Sequence, residues 1–144
     1  MPLTELHGLA ERNEINKENI AEHIKDINTV NEEIVILEPN TNPYIITWLL
    51  HDGNVSMKLN TTPLHVALLK KNRTALLFLI AYGGNIHLQF TGMTRTRHTA
   101  QSFATTFLKD LLPIVIGGAD NARDIIISEG LLEEEEKFVK PAKH

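Results

Sequence analysis

At 144 residues the chain is one domain by size, and its net charge of −4 argues against a general nucleic-acid binder. With no cysteine it can have no disulfide framework, no thiolate chemistry and no cysteine-based zinc finger. Hydrophobic residues make up 42% and aromatic residues 6%, a balance that suits thin helical layers packed by Leu, Ile and Ala.

In chain order, Thr4-Glu5-Leu6-His7 with Ala10 opens a first helix, and Asn16 can cap a second helix through Ile27. Ile20, Ala21, Ile24 and Ile27 share one face of that second helix. Residues 1–31 are therefore expected to be an N-terminal helical unit whose Glu, Lys, Asn and Asp solvate its outer side. Glu33-Ile34-Val35-Ile36-Leu37-Glu38 comes next. Its Val and Ile suit a strand as well as a helix, so residues 32–41 stay open between helix, strand and irregular loop. Asn42 can cap and Pro43 can take the first turn of a helix over Tyr44–Leu50, closed by Gly53. On that basis residues 32–56 are read as a degenerate helical unit.

The clearest unit is 57–88. Thr62 caps, and Pro63 sits in the first turn, where its missing N–H costs nothing. Leu64, Val66, Ala67 and Leu68 make an apolar stripe, and Lys70-Lys71-Asn72-Arg73 breaks it as a turn between helices should. Ala75 to Ala81 is a dense apolar run, read as a more buried second helix that ends at Gly83-Gly84. In 89–120, Gln89 to Thr94 turns into a further unit, Phe107 to Ile116 carries its apolar pattern, and Gly117-Gly118-Ala119-Asp120 closes it. Pro113 should bend the second helix of this unit or delay its start. Over 121–144, Asn121 can begin a helix through Ser128, Gly130 interrupts it, and Leu131 to Val139 can form a last helix before a frayed end.

Thr62-Pro63-Leu64-His65-Val66-Ala67, closed by Gly83-Gly84-Asn85-Ile86, resembles one complete ankyrin repeat. Thr62 to Gly83 fits the roughly 33-residue repeat without an insertion. Thr4-Glu5-Leu6-His7 matches the same motif except at the proline. The third copy has three candidate registers. One starts at Thr94, with Arg95-Thr96-Arg97 in place of Pro-Leu-His. A second puts His98 and Ala100 one repeat after His65 and Ala67, and a third starts at Thr99-Ala100. The resemblance is strong at 57–88, moderate at 89–120 and weak at 1–56, and it does not cover 121–144. It implies an all-α, ankyrin-like solenoid of three to four stacked units, with 121–144 as C-terminal capping helices and tail. It also implies that His65 ties loops together rather than acting in catalysis.

In the ankyrin family, targets dock on the concave face, built from the turns before each first helix and the exposed end of that helix. Carried over, this implies partner-binding positions at Lys58, Leu59, Thr61, Leu69 and Lys70, then Phe90, Thr91 and Met93, with Arg95 and Arg97 in the first register. Phe90 and Met93 stand out because large apolar side chains at a loop tip cost solubility unless covered, although Phe90 can equally fold back onto a neighbouring unit. Lys58, Lys70, Lys71, Arg73, Arg95 and Arg97 make this region basic within an acidic protein, which would favour a partner with an acidic patch.

The expected function is therefore non-catalytic protein–protein recognition by a cytosolic monomer with no cofactor and no metal. Self-association through the same face is the alternative. An enzyme is least favoured: the 7 histidines form no H-x-x-x-H or HExxH pair, and the serines lack a G-x-S-x-G context. No run reaches the roughly 18 apolar residues of a membrane helix, and Met1-Pro2-Leu3-Thr4-Glu5 lacks the pattern of a secretory signal peptide. Glu133–Glu136 ahead of a lysine-containing end resembles the C-terminal translocation signal of type IVB-secreted bacterial effectors, many of which are short ankyrin proteins. That resemblance would place the protein in a host cell; an ordinary solvated helix face accounts for the same glutamates.

Overall fold

The computed structural model describes residues 4–31, 60–91 and 97–132, and the strand backbone at 34–37 and 55–58. Four of its helices begin at a side-chain cap, at Thr4, Asn16, Thr62 and Thr99. Thr4 caps α1 (Glu5–Glu11). Asn16 caps α2 (Lys17–Glu22), its Oδ1 accepting from the N–H groups of Glu18 at 3.0 Å and Asn19 at 2.9 Å. Thr62 caps α3 (Pro63–Leu69), and Asn72 precedes α4 (Arg73–Ala81). Thr99 caps α5 (Ala100–Phe107), and α6 (Leu112–Ser128) has Pro113 in its first turn. The proline thus marks the start of the last helix, where its lost N–H has no partner to forfeit.

Two expected helices differ in extent. The helix expected from Asn16 to Ile27 ends at Glu22, and the chain tightens into a single 3₁₀ turn at Ile24–Asp26. The closing glycines and the Asn121 helix expected as separate features lie within one element, α6. Its axis breaks at Gly118, whose φ of 82° is left-handed, and the helix then resumes to Ser128. Gly130 follows that helix at φ 77°. The segment left open at 32–41 contains β1 (Ile34–Leu37), which pairs antiparallel with β2 (Val55–Lys58), Ile34 opposite Lys58 and Leu37 opposite Val55. β-branched Ile34, Val35 and Ile36 favour that outcome. The described residues are mostly helical, with this strand pair as the exception.

The helices stack in two rows. In one row α1 packs on α3 and α3 on α5; in the other α2 meets α4 and α4 lies along α6. Helices α3 and α4 form a hairpin, as do α5 and α6. α4 sits in the middle of its row and is buried from Ala75 through Tyr82. Leu6, Ile20, Leu64, Leu68, Leu76, Leu77, Leu79, Phe103, Leu108 and Ile126 complete one continuous core. Apolar Ile114 and Val115 turn into it, whereas Ile116 is exposed.

The first unit rests directly on the α3–α4 hairpin. Asn72 Nδ2 donates to the carbonyls of Ala10 at 2.8 Å and Glu11 at 2.9 Å, capping the end of α1. The Ala75 N–H donates to Asn13 Oδ1 at 3.1 Å, and the Asn85 N–H to Asn28 Oδ1 at 2.7 Å. The Thr61 carbonyl accepts from the Asn31 N–H at 2.7 Å. These bonds join the first unit directly to the hairpin; of the degenerate unit expected at 32–56, only the strand backbone at 34–37 and 55–58 falls within the described residues. The chain leaves the stack after Asn31 and returns at Thr61 through the β1–β2 pair. The helix expected over Tyr44–Leu50 lies outside the described residues.

Candidate interaction surface

Each first helix begins with the same reciprocal device. In α1 the His7 N–H donates to Thr4 Oγ1 while the Thr4 N–H donates to His7 Nδ1 at 3.2 Å. In α3 the His65 N–H donates to Thr62 Oγ1 and the Thr62 N–H donates to His65 Nδ1 at 3.0 Å. In α5 the partner is serine: the Ser102 N–H donates to Thr99 Oγ1 at 3.2 Å and the Thr99 N–H to Ser102 Oγ at 3.0 Å. Two orphan donors at each helix start are satisfied in this way. The pattern selects the Thr99 register among those the sequence left open. Ser102, not His98, stands where His7 and His65 stand.

The two histidines reach further than the serine. With Nδ1 accepting, each ring carries its proton on Nε2. His7 Nε2 donates to the Thr61 carbonyl at 2.9 Å, and His65 Nε2 to the Leu88 carbonyl at 3.2 Å. Each therefore fastens the start of its own unit to the loop leading into the next. Burial holds the His65 imidazole down to about 3, against the pull of its bond to Leu88, and His7 also disfavours its charge. A ring so fully partnered has no lone pair left for proton transfer, which favours the structural role expected for it.

Phe90 corrects the expectation of a loop-tip anchor. It is fully buried, stacked on the His65 ring at 4.1 Å and 20°, and 5.5 Å from Phe103. Its backbone exchanges two 2.8 Å bonds with His98, which turns the side chain inward. Phe103 packs on Phe107 at 4.9 Å, and His98 meets both rings edge-on. Thr61 and Leu69 are also buried, Thr61 with its carbonyl committed to Asn31 and His7, so neither can meet a partner. Lys58 lies in β2. Leu59, Met93 and Arg95 lie outside the described residues, and Thr91 is half-buried.

Lys70 and Arg97 stay exposed, with Lys70 Nζ 4.0 Å from Glu11. The basic cluster is thinner than the sequence implied. Arg73 turns away and clasps Glu129, the residue that ends α6, through two bonds of 3.0 and 2.8 Å. That clasp raises the arginine and lowers the glutamate, each through the hydrogen bond to the other. The first-helix row continues onto α5, where Thr99, Gln101, Ser102, Thr105 and Thr106 line a shallow, open depression. Sequence reasoning missed these positions because it carried the partner-binding residues over in the register that starts at Thr94, one of three it left open. The signal was Thr99 followed three residues later by a polar side chain, which is a capping-box spacing. Among the described residues no cluster of three or more His, Asp or Glu could hold a metal ion, and no helix is long and apolar enough to cross a membrane. No family model matches the chain, and neither a curated protein nor a solved structure matches it.

Proposed function

We propose that the protein is a non-catalytic recognition module of the ankyrin-repeat kind, which docks a partner protein on the row formed by α1, α3 and α5. The observation that carries this reading is the recurrence of one device at three helix starts: a threonine cap with a reciprocating third residue. Two of the three reach on to the next loop through histidine. Repeated units held by such local bonds form a rigid platform whose exposed row can vary without loss of fold. Lys70, Arg97, Gln101 and Thr105 are among the exposed positions along that row. A partner with an acidic patch fits the exposed Lys70 and Arg97. Delivery into a host cell is part of the same proposal, and its carrier, Glu133–Glu136, lies outside the described residues.

The test compares Lys70→Glu/Arg97→Glu with a control, Asp124→Lys, on the exposed side of α6. All three proteins, native included, are used as bait in eukaryotic lysate and read by mass spectrometry after circular dichroism has verified folding. A partner held by native and control and lost by the double variant supports the reading. A partner lost by the control and kept by the double variant moves the site to the other row. A partner absent throughout, with concentration-dependent light scattering, favours self-association.

A further inference from the structure

The loops between units are held by imidazole rings in a single tautomer, and that geometry has a consequence independent of what the surface binds. His65 Nδ1 faces the Thr62 N–H at 3.0 Å, and Nε2–H is spent on the Leu88 carbonyl. One face of the ring is covered by Phe90. A second proton could go only to Nδ1, where it would meet the Thr62 N–H head-on. Two donors would then share one line, and the Thr62 amide would lose its acceptor inside the core. The Thr62 hydroxyl, 3.2 Å from Nδ1, already accepts from the His65 N–H, and its second lone pair could take an Nδ1–H only with the Thr62 N–H left without its acceptor. Charging the ring therefore costs the seam a buried hydrogen bond, which the ring relieves by leaving; leaving frees the Leu88 carbonyl and uncovers Phe90.

We infer that His65 is an acid-sensitive latch: its protonation detaches the loop at 84–91, and with it the start of α5, from the first two units, while α6 stays packed along α4. The groups around the ring give an imidazolium no compensation. From α1 the titratable neighbour is His7, itself a proton donor to Thr61. The acidic residues of α1 are engaged at the surface, Glu5 near His23 and Glu11 near Lys70, each at 4.0 Å. From α4 the charged residue is Arg73, clasped to Glu129. α5 carries no charged residue. In the following loop His87 is exposed, and beyond it His98 stands edge-on to Phe103, with Arg97 exposed beside it. No carboxylate among these meets the His65 ring, and burial of the neutral form agrees with that arrangement.

Hydrogen exchange of the full chain between pH 7 and pH 4, corrected for the intrinsic pH dependence, tests the latch. Protection at 84–91 and α5 should fall about tenfold per pH unit below the ordinary histidine value, while α1 to α4 lose less. In His65→Asn, which keeps a neutral acceptor and donor, that pH dependence should vanish. Should this variant fail to fold, the ring nitrogen shifts of His65 in the native protein decide. Titration only in strong acid, together with loss of the loop, supports the latch. Titration near the ordinary histidine value with the loop still protected overturns it. So does equal acid sensitivity in His65→Asn.

Discussion

Replacing Phe90 by alanine separates a buried seam residue from a docking anchor. The side chain is fully buried between the His65 ring at 4.1 Å and Phe103 at 5.5 Å. Removing a buried phenylalanine costs about 3–5 kcal/mol, because transfer energy is lost and a cavity is left. Here the upper half of that range is expected. The substitution also strips the cover from a neutral histidine, and aromatic pairs contribute about 0.5–1.5 kcal/mol beyond their area. For a chain of this size about 4 kcal/mol lowers the melting temperature by roughly 8–16 °C. Urea unfolding followed by far-ultraviolet circular dichroism measures the change, and the slope should stay constant if only stability is altered. Phe90→Leu, which keeps most of the volume, should recover more than half of the loss. A change within about 0.5 kcal/mol for the alanine variant would be the signature of a surface residue and would refute the placement.

Three further substitutions or conditions probe the stack. A Cβ at Gly84 would stand 2.8 Å from the Leu79 carbonyl and 2.9 Å from Leu64 Cδ1, so Gly84→Ala should cost about 1–3 kcal/mol by urea unfolding; a neutral result would mean the α4 exit is more open than described. Asn72→Ala removes the donors to Ala10 and Glu11, and should speed exchange in α1 more than in α5 at a cost of about 1–3 kcal/mol. Exchange that rises equally throughout would contradict a bond specific to that seam. For acid, the folded His65 value lies below the unfolded one, so its stabilisation is complete above about 6.5 and is lost as pH falls towards 3. Over that window the loss is about 1.4 kcal/mol per pH unit, and His65→Asn should flatten that part of the pH–stability curve; an unchanged slope would assign acid unfolding to other groups.

Much of the helical order was legible because it rests on local chemistry. Thr4, Asn16 and Thr62 each declare a helix start through a side-chain oxygen, and the run from Ala75 to Ala81 declares the most buried helix through composition alone. The stacking order was not legible. It depends on Asn13, Asn28, Asn31 and Asn72 reaching backbone groups far along the chain, and an asparagine in a turn reads the same with or without such a partner. The third register stayed open among three candidates for a related reason. Ser102 does the capping work of a histidine, and a serine at that spacing carries no family signature although it satisfies the same N–H. Phe90 was ambiguous because its burial is decided by a two-residue backbone bridge to His98, and the sequence does not reveal that pairing.

The account rests most directly on the first unit lying against the α3–α4 hairpin with nothing between them. Nuclear Overhauser contacts on isotope-labelled protein read this in one experiment. The account predicts cross-peaks from the Asn72 side-chain amide to Ala10 and from the His7 ring to Thr61. Absence of both contacts in the folded protein would contradict it.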